Sequence, residues 1–183
     1  MTIFFITENE NKVREVQRIL PDVQPIALEL DEIQGLDPLR IIAAKLRQAT
    51  EQRDGEFFVE DSSLYLDCQN GFPGPLIKWL LQAVGHTGIV ELVQKYGSSH
   101  ATVKTVIGYS DRKDIHFFVG ELHGQIVPAR GKEGFGWDPI FQPDGFQKTI
   151  GEMAPEEKAR ISMRSKALQA LKKHLELGSM KKE

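Results

Sequence analysis

The first twenty residues hold a short apolar run followed by an amphipathic segment with helical spacing, and this order constrains the fold more than any other feature. Ile3 to Ile6 (IFFI) has the length and composition of a buried strand, and the polar residues TENEN follow it. The next stretch, KVREVQRIL, places its apolar residues at helical spacing. The sequence therefore predicts a strand, a loop and a helix at the start of an α/β fold.

Strand and helix patterns alternate along the rest of the chain. Val23 to Leu28 is typical of a strand, and Pro38 to Gln52 of a helix whose first turn suits a proline. Further strands are predicted at 57–59, 64–66, 102–109 and 115–127, with a short one at PIF (139–141), and further helices at 76–84, 89–96 and 155–175. These patterns predict a mixed α/β protein.

Length and composition set the broad class of the protein. With 183 residues and a net charge of -3, we expect one domain spanning 1–183 and no broad nucleic-acid surface. No apolar stretch approaches the roughly 20 residues needed to span a bilayer, and MTIFFITENENK lacks the features of a secretory signal, so we expect a cytoplasmic protein. Cys68 is the only cysteine, which excludes an internal disulfide and a thiolate metal cluster.

Two polar stretches follow predicted strands and are candidates for phosphate or metal chemistry. In TENENK (7–12), a helix N-terminus and Lys12 could bind an anion, or an asparagine could simply cap the helix. In VEDSS (59–63), Glu60 and Asp61 point to opposite faces of a strand, so one carboxylate could hold Mg²⁺ or activate water. A solvated turn is the alternative for this stretch. Glu32 in LDEIQG is a possible second metal ligand, with Asp31 as its rival.

Three later stretches combine stiff backbone with aromatic or basic side chains. GFPGPLIKW (71–79) places Lys78 at the start of a helix, where an anionic ligand would explain it, and Trp79 is expected to enter the core. GFGWDP (134–139) could shape a turn or a pocket for a planar ring. EEKARISMRSK (156–166) sets Arg160 and Arg164 four residues apart, on one face of the predicted helix, as a solvated basic face or a pocket wall.

These stretches follow one another in an order that matches a known family. ITENENKVREVQRIL, VEDSSLYLD, GFPGPLIKW, GFGWDPIFQPDG and EMAPEEKARISMR closely resemble the motifs of the inosine triphosphate pyrophosphatase family, and the similarity covers nearly the whole chain. The resemblance implies a mixed twisted sheet flanked by helices, with two lobes around a central nucleotide-binding cleft. It also implies a homodimer that hydrolyses non-standard purine nucleoside triphosphates (ITP, dITP and XTP) to the monophosphate and pyrophosphate, with Mg²⁺ as cofactor.

The resemblance also implies a role for each matching position. Asp61 would be the general base and, with Glu32, would hold the metal. The substrate-binding residues would be Thr7, Asn9 and Lys12 in the phosphate loop, Lys45, Ser62 and Lys78 on the nucleotide or its phosphates, Phe135, Gly136, Trp137 and Asp138 around the base, and Lys158 and Arg164 closing the base pocket from the last helix.

The chain departs from the family pattern in two motifs. The phosphate loop usually reads Thr-Gly-Asn followed by small residues, whereas Glu8 and Asn11 replace two small positions here. The last motif usually has Lys-Asn and then Ser-His-Arg, whereas this chain has Ala159 and Met163. Because methionine cannot hydrogen-bond a base as histidine can, we expect altered base selectivity or affinity more than altered metal chemistry.

Two alternative functions remain open on the sequence. One is a related pyrophosphatase for modified pyrimidine triphosphates, against which the Trp137 loop and Arg164 argue. The other is a nucleotide-binding protein with reduced turnover, which the departures at Glu8, Ala159 and Met163 would favour.

Overall fold

The computed structural model describes residues 2–180 and contains five α-helices, three short 3₁₀ helices and seven strands in that range. The strands are β1 (Ile3–Ile6), β2 (Gln24–Ile26), β3 (Glu56–Leu66), β4 (Pro73–Gly74), β5 (His100–Ser110), β6 (Ile115–Ile126) and β7 (Phe141–Pro143). The helices are α1 (Glu10–Gln17), α2 (Pro38–Gln52), α3 (Ile77–Lys95), α4 (Pro155–Ile161) and α5 (Met163–Met180). The prediction of a mixed α/β fold is confirmed.

The strands form one mixed sheet in the order β2-β1-β3-β5-β6-β7, with β4 beside β3. β1 is parallel to β2 and β3, whereas β4 and β7 run antiparallel to their neighbours. Phe5 of β1 lies opposite Phe58 of β3. Because the two strands are parallel and Phe5 pairs with Phe58, the residues that follow Ile6 lie beside Glu60 and Asp61, in the middle of β3.

The chain divides into two compact units. Unit 1 holds the chain up to Asp61, Thr105–Gly120 and the residues from Met163 onward, and unit 2 holds Ser62–Lys104 and Glu121–Ser162. Strands β3, β5 and β6 contribute residues to both units. A single domain spanning 1–183 stays a prediction.

Unit 1 buries apolar side chains on both faces of its strands. Phe58 belongs to a core cluster with Val16 of α1 and Leu168 of α5. Its neighbour Phe57 belongs to a second cluster with Ile42 of α2. Because successive strand residues point to opposite faces, α1 and α5 cover one face of the sheet and α2 covers the other. This explains why FFV in β3 is apolar without alternation.

Unit 2 contains α3, a helical element that is broken at Gly85. Gly85 has φ 64° and ψ -173°, a backbone region that glycine alone adopts readily. The break lies at the border between the two helices predicted at 76–84 and 89–96. Buried residues of α3 include Ile77 before the break and Val93 after it.

Three element predictions were wrong in detail. β3 runs unbroken through EDSS, because the buried charge of Glu60 is paired and does not end the strand. The predicted helix at 155–175 is interrupted at Ser162, whose extended backbone (φ -61°, ψ 147°) is typical of the residue that precedes a helix, where serine is favoured. Arg160 and Arg164 therefore lie on separate helices. In PIF, only Phe141 belongs to a strand, since Asp138–Ile140 form a 3₁₀ turn.

Candidate functional site

The loop after β1 caps the helix that follows it. The Asn9 side-chain oxygen accepts hydrogen bonds from the backbone N–H groups of Asn11 (3.0 Å) and Lys12 (3.3 Å). The Thr7 hydroxyl accepts one from the Asn9 N–H (3.1 Å). Asn9 is therefore the N-cap of α1, as the capping interpretation of TENENK expected. The partial positive charge of the helix N-terminus and the Lys12 ammonium lie together at this end of α1.

Four charged side chains of unit 1 form an ion cluster, which we define as Lys12, Glu15, Glu60 and Arg164. Glu60 and Arg164 are buried, whereas Lys12 and Glu15 are half-buried. Arg164 Nε lies 2.9 Å from Glu60 Oε2, and Nη2 lies 2.9 Å from Oε1, so the guanidinium holds this carboxylate in a bidentate grip. Arg164 Nη1 donates to Glu15, and Lys12 Nζ lies 3.2 Å from Glu60 Oε1. The cluster contains two positive and two negative charges, so it has no formal net charge.

Burial and charge pairing act in opposite directions on the pKa of Glu60. Removal of the carboxylate from water would raise its pKa, but the charges and hydrogen bonds of Arg164 and Lys12 outweigh this and lower it to about 2. For Arg164 the directions are reversed. Burial would lower its pKa, but the carboxylates of Glu60 and Glu15 outweigh this and raise it. Both groups are ionised throughout the physiological range.

The lowered pKa of Glu60 predicts a loss of stability in acid. Its pKa falls from 4.5 to about 2 on folding, so its contribution is complete above pH 4.5 and is lost as the pH falls through about 2. At about 1.4 kcal/mol per pKa unit, this amounts to about 3 kcal/mol. Chemical denaturation between pH 7 and pH 2 should show this dependence, and Glu60→Gln should lose most of it. Exchange of the exposed Glu156 for glutamine should leave this pH dependence unchanged. If the free energy of unfolding depends equally on pH in the wild type and in Glu60→Gln, the dependence does not come from Glu60.

The two residues that the sequence associates with Mg²⁺ are both in unit 1. Glu32 forms an ion pair with Lys45 of α2, and its side chain is 46% exposed. The segment around Glu32 is tied to α2, because the Gln48 side chain bonds both the N–H and the C=O of Asp31. Asp61 is half-buried and follows Glu60 on β3, so it faces the opposite side of the strand. Within residues 2–180, no group of three or more His, Cys, Asp or Glu side chains is placed to hold a metal.

In unit 2, the loop GFGWDP is organised around Asp138. The Asp138 carboxylate accepts hydrogen bonds from the Phe135 N–H (2.8 Å) and from Lys158 Nζ (2.8 Å). Lys158 Nζ also lies 4.8 Å from the centroid of the Phe135 ring, a cation–π contact. Gly134 has φ 79°, and a Cβ there would lie 2.1 Å from Asp138 Oδ2, so a side chain at this position would displace the carboxylate.

The predicted base-site residues differ in exposure. Trp137, Asp138 and Lys158 are buried, whereas Phe135 is half-buried and Gly136 is exposed. The structure therefore brings Phe135, Asp138 and Lys158 together and places Trp137 largely inside unit 2. Arg164 lies in the ion cluster of unit 1, and its predicted contact with a base remains a prediction.

The remaining substrate-binding predictions concern Ser62 and Lys78, both in unit 2. Ser62 is a half-buried residue of β3, and Lys78 is exposed on the first turn of α3. Lys78 Nζ lies 5.3 Å from the centroid of the Trp79 ring. Trp79 is 50% exposed, so the expectation that it enters the core was wrong.

Sequence reasoning missed the partners of Arg164. Glu15 was not identified at all, and Glu60 was considered only as a rival to Asp61. An acidic residue inside an apolar strand such as FFVE signals a buried charge, which requires a partner of opposite charge. That partner is 104 positions away along the chain, beyond the reach of any local pattern.

A comparison with protein families matches residues 3–174 to the model of the Ham1 family. The chain belongs to the Ham1 family. Among curated relatives of this family member, the inosine triphosphate pyrophosphatase of Kluyveromyces lactis is 42% identical and covers 94% of this chain and 95% of its own. The resemblance to inosine triphosphate pyrophosphatases is thereby confirmed.

Solved structures of similar proteins agree with the fold of this Ham1 family member. A Ham1 protein from Coxiella burnetii has a TM-score of 0.81 at 26% identity, covering 96% of this chain and 98% of its own. A nucleoside-triphosphatase, also described as a dITP/XTP pyrophosphatase, from Mycobacterium abscessus has a TM-score of 0.75 at 26% identity, covering 93% and 98% respectively. Across residues 2–180, no helix has the length and apolar character needed to cross a membrane.

Proposed function

We propose that this chain hydrolyses non-standard purine nucleoside triphosphates, ITP, dITP and XTP, to the monophosphate and pyrophosphate. The observation that carries the proposal is the 42% identity, over 94% of the chain, to an inosine triphosphate pyrophosphatase. The dITP/XTP pyrophosphatase among its structural neighbours supports the same substrate class. Such an enzyme removes unwanted nucleotides from the pool.

The phosphate-binding roles in this proposal fall to residues with positive charge or hydrogen-bond donors. Lys12, at the capped N-terminus of α1, supplies a cation beside the partial positive charge of the helix. Lys45 and the exposed Lys78 supply two more. Thr7, Asn9 and Ser62 supply hydroxyl and amide groups that can bond phosphate or sugar oxygens.

Glu32 and Asp61 are the proposed ligands of Mg²⁺. Their carboxylates are the hard oxygen donors that Mg²⁺ prefers, and a site with two carboxylates fits because Mg²⁺ usually keeps several waters and binds substrate phosphates. The 46% exposure of Glu32 leaves its carboxylate accessible to a hydrated ion, with Lys45 beside it to pair with phosphate. When bound, the metal supplies positive charge that stabilises the phosphate oxygens.

The proposed reaction is a direct displacement by water. Asp61 orients a water molecule and accepts its proton, and the water oxygen forms a bond to the α-phosphorus. The bond from that phosphorus to the bridging oxygen of the β-phosphate breaks, and pyrophosphate leaves with the bonding electrons. The lysines offset the charge of the leaving group, so positioning and electrostatics supply most of the catalysis.

Base recognition in this proposal uses the residues of unit 2 around Asp138. Phe135 supplies an apolar ring, and the glycines of the loop let its backbone approach a flat base. A 6-keto oxygen accepts hydrogen bonds from donors of the protein, whereas the 6-amino group of adenine would present a donor to a donor. A site of this kind can discriminate strongly, because the mismatch leaves buried polar groups unpaired.

A panel of triphosphates tests the function. Purified protein with Mg²⁺ should release pyrophosphate from ITP or XTP with a kcat/KM at least about 100-fold higher than from ATP, as expected for a site built to bond the keto group. The kcat/KM for GTP should also be lower than that for ITP or XTP, because guanine has to be excluded at the edge of the base away from its 6-keto group. Equal rates on all four nucleotides would contradict the proposal. A preference for modified pyrimidine triphosphates would favour the related pyrophosphatase, and ITP binding in calorimetry without pyrophosphate release would favour a binding protein.

Four further expectations belong to this proposal. A homodimer is expected, and sedimentation velocity tests it. A cytoplasmic location and a single functional domain over 1–183 are expected for an enzyme of the nucleotide pool. The departures at Glu8, Asn11, Ala159 and Met163 are expected to affect base selectivity or affinity first.

A further inference from the structure

His86 reaches the GFGWDP loop from the break in α3. Its Nε2 lies 2.7 Å from the carbonyl oxygen of Gly136, and both residues belong to unit 2. A carbonyl oxygen can only accept, so His86 is the donor and Nε2 carries the hydrogen. His86 directly follows Gly85, where the backbone leaves helical geometry, so the break places this side chain at the start of the second helical segment.

The peptide group between Gly136 and Trp137 is held differently from its neighbours. Within the loop, the Phe135 N–H bonds the Asp138 carboxylate (2.8 Å), and the Asp138 N–H bonds the Phe135 C=O (3.3 Å). The Trp137 C=O accepts a bond from the Ile140 N–H (3.0 Å). For the Gly136–Trp137 peptide group, the bond from His86 is the one hydrogen bond found within residues 2–180.

This peptide group would otherwise have considerable freedom to rotate. Gly136 is exposed and has φ 63°, and a Cβ built on it would meet no atom within 4 Å. Glycine in such open space can adopt several backbone conformations at little cost. His86 therefore selects one orientation of a peptide group that the loop itself leaves unfixed.

The orientation of the Gly136 carbonyl also fixes the next N–H group. Within residues 2–180, Phe72–Pro73 is the one peptide bond in the cis form, so the Gly136–Trp137 bond is trans. In a trans peptide the C=O and the following N–H point in opposite directions. With its carbonyl held by His86, this peptide group directs the Trp137 N–H away from His86.

We propose that His86 is a positioning residue for base recognition, which holds the Gly136–Trp137 peptide so that the Trp137 N–H donates to the 6-keto oxygen of the purine. The inference rests on the proposed function, which assigns this loop to the base. It provides a hydrogen-bond donor for the keto oxygen other than the guanidinium of Arg164, which is bonded to Glu60 and Glu15. An adenine amino group would face the same N–H as a second donor, so His86 contributes to the rejection of ATP.

The test compares three variants in pyrophosphate release from ITP and ATP. His86→Ala should raise KM for ITP about threefold to tenfold, the value of one ordinary hydrogen bond, with kcat within about twofold of wild type. The ITP-to-ATP ratio of kcat/KM should fall by a similar factor. His86→Gln, which keeps a donor near the Nε2 position, should restore both values to within about twofold. Thr87→Ala, a change at the exposed neighbouring residue, should have no effect.

A nucleotide-free measurement separates this inference from the proposed function. The backbone ¹⁵N–¹H signal of Trp137 should shift in His86→Ala and return in His86→Gln, and Thr87→Ala should leave it in place. An unmoved Trp137 signal, or a His86→Ala enzyme with unchanged KM and unchanged ITP-to-ATP ratio, would overturn the role of His86. Equal impairment of the alanine and glutamine variants would overturn it too. Absence of pyrophosphate release from ITP in the wild type would count against the proposed function. The Trp137 signal would still test the contact of His86 with the Gly136 carbonyl.

Discussion

Replacing Asp61 with asparagine should lower kcat for pyrophosphate release from ITP by about 100-fold or more, the range found when a general base is removed. The amide keeps the size of the side chain but cannot accept the proton of the attacking water. It also binds a divalent cation less strongly than a carboxylate does, so the Mg²⁺ concentration for half-maximal activity should rise. Steady-state kinetics at several Mg²⁺ concentrations measure both effects.

Asp67→Asn is the matched control for this experiment. Asp67 is exposed, lies six positions further along the chain just after β3, and has no proposed role at the site. Its replacement removes the same charge and should leave kcat and KM within about twofold of wild type, since surface substitutions rarely matter. Asp61→Asn with wild-type kcat would refute the role of Asp61 as base.

Replacing Arg164 with methionine should lower the free energy of unfolding by about 3 to 5 kcal/mol, because it breaks a buried ion pair and leaves charge behind. The Arg164 side chain is 2% exposed and that of Glu60 is 1% exposed. Without the guanidinium, Lys12 is the one cation left in the ion cluster, and Glu15 loses its bond to Arg164. Urea denaturation at pH 7 measures the difference.

Two further variants show whether charge or geometry matters most in the ion cluster. Arg164→Lys keeps the positive charge but not the bidentate fork, so its loss of stability should lie between zero and that of Arg164→Met. Arg160→Met removes an exposed arginine of α4 and should change the free energy of unfolding by less than about 0.5 kcal/mol. A loss below about 1 kcal/mol in Arg164→Met would mean that the cluster contributes little net stability.

Local patterns were sufficient to predict most of the helices and strands. The strand at Ile3–Ile6 and the helix at Pro38–Gln52 were predicted with the bounds that the structure has, because each has a clear apolar period and a clear boundary. The helix at 155–175 was not, since Ser162 interrupts it with neither glycine nor proline to signal the break. The continuity of β3 was missed for a different reason: the charge of Glu60 is satisfied by residues far away in the chain.

Some residues of the candidate site could be predicted from the sequence, and others could not. Resemblance to the family motifs supplied the residues of the phosphate loop and of GFGWDP. It also assigned Lys158 and Asp138 to the same base site, and the two side chains are in contact. The ion cluster could not be predicted, because nothing in the local sequence around Glu15 or Arg164 reveals their pairing. The contact of His86 with Gly136 joins residues 50 positions apart, so no local pattern reveals it, although the two helices predicted at 76–84 and 89–96 leave room for the break at Gly85.

The ion cluster also has a consequence for the order in which the chain can become stable during synthesis. Glu15 and Glu60 leave the ribosome long before Arg164, which follows Glu15 by 149 positions. Until the residues from Met163 onward emerge, unit 1 lacks α5, and the carboxylate of Glu60 lacks its ion pair with Arg164. Unit 2, which ends at Ser162, is fully synthesised first. Maturation of the segment that contains the proposed catalytic Asp61 therefore waits for α5, so a ribosome-bound chain is expected to acquire its activity only after α5 has been synthesised.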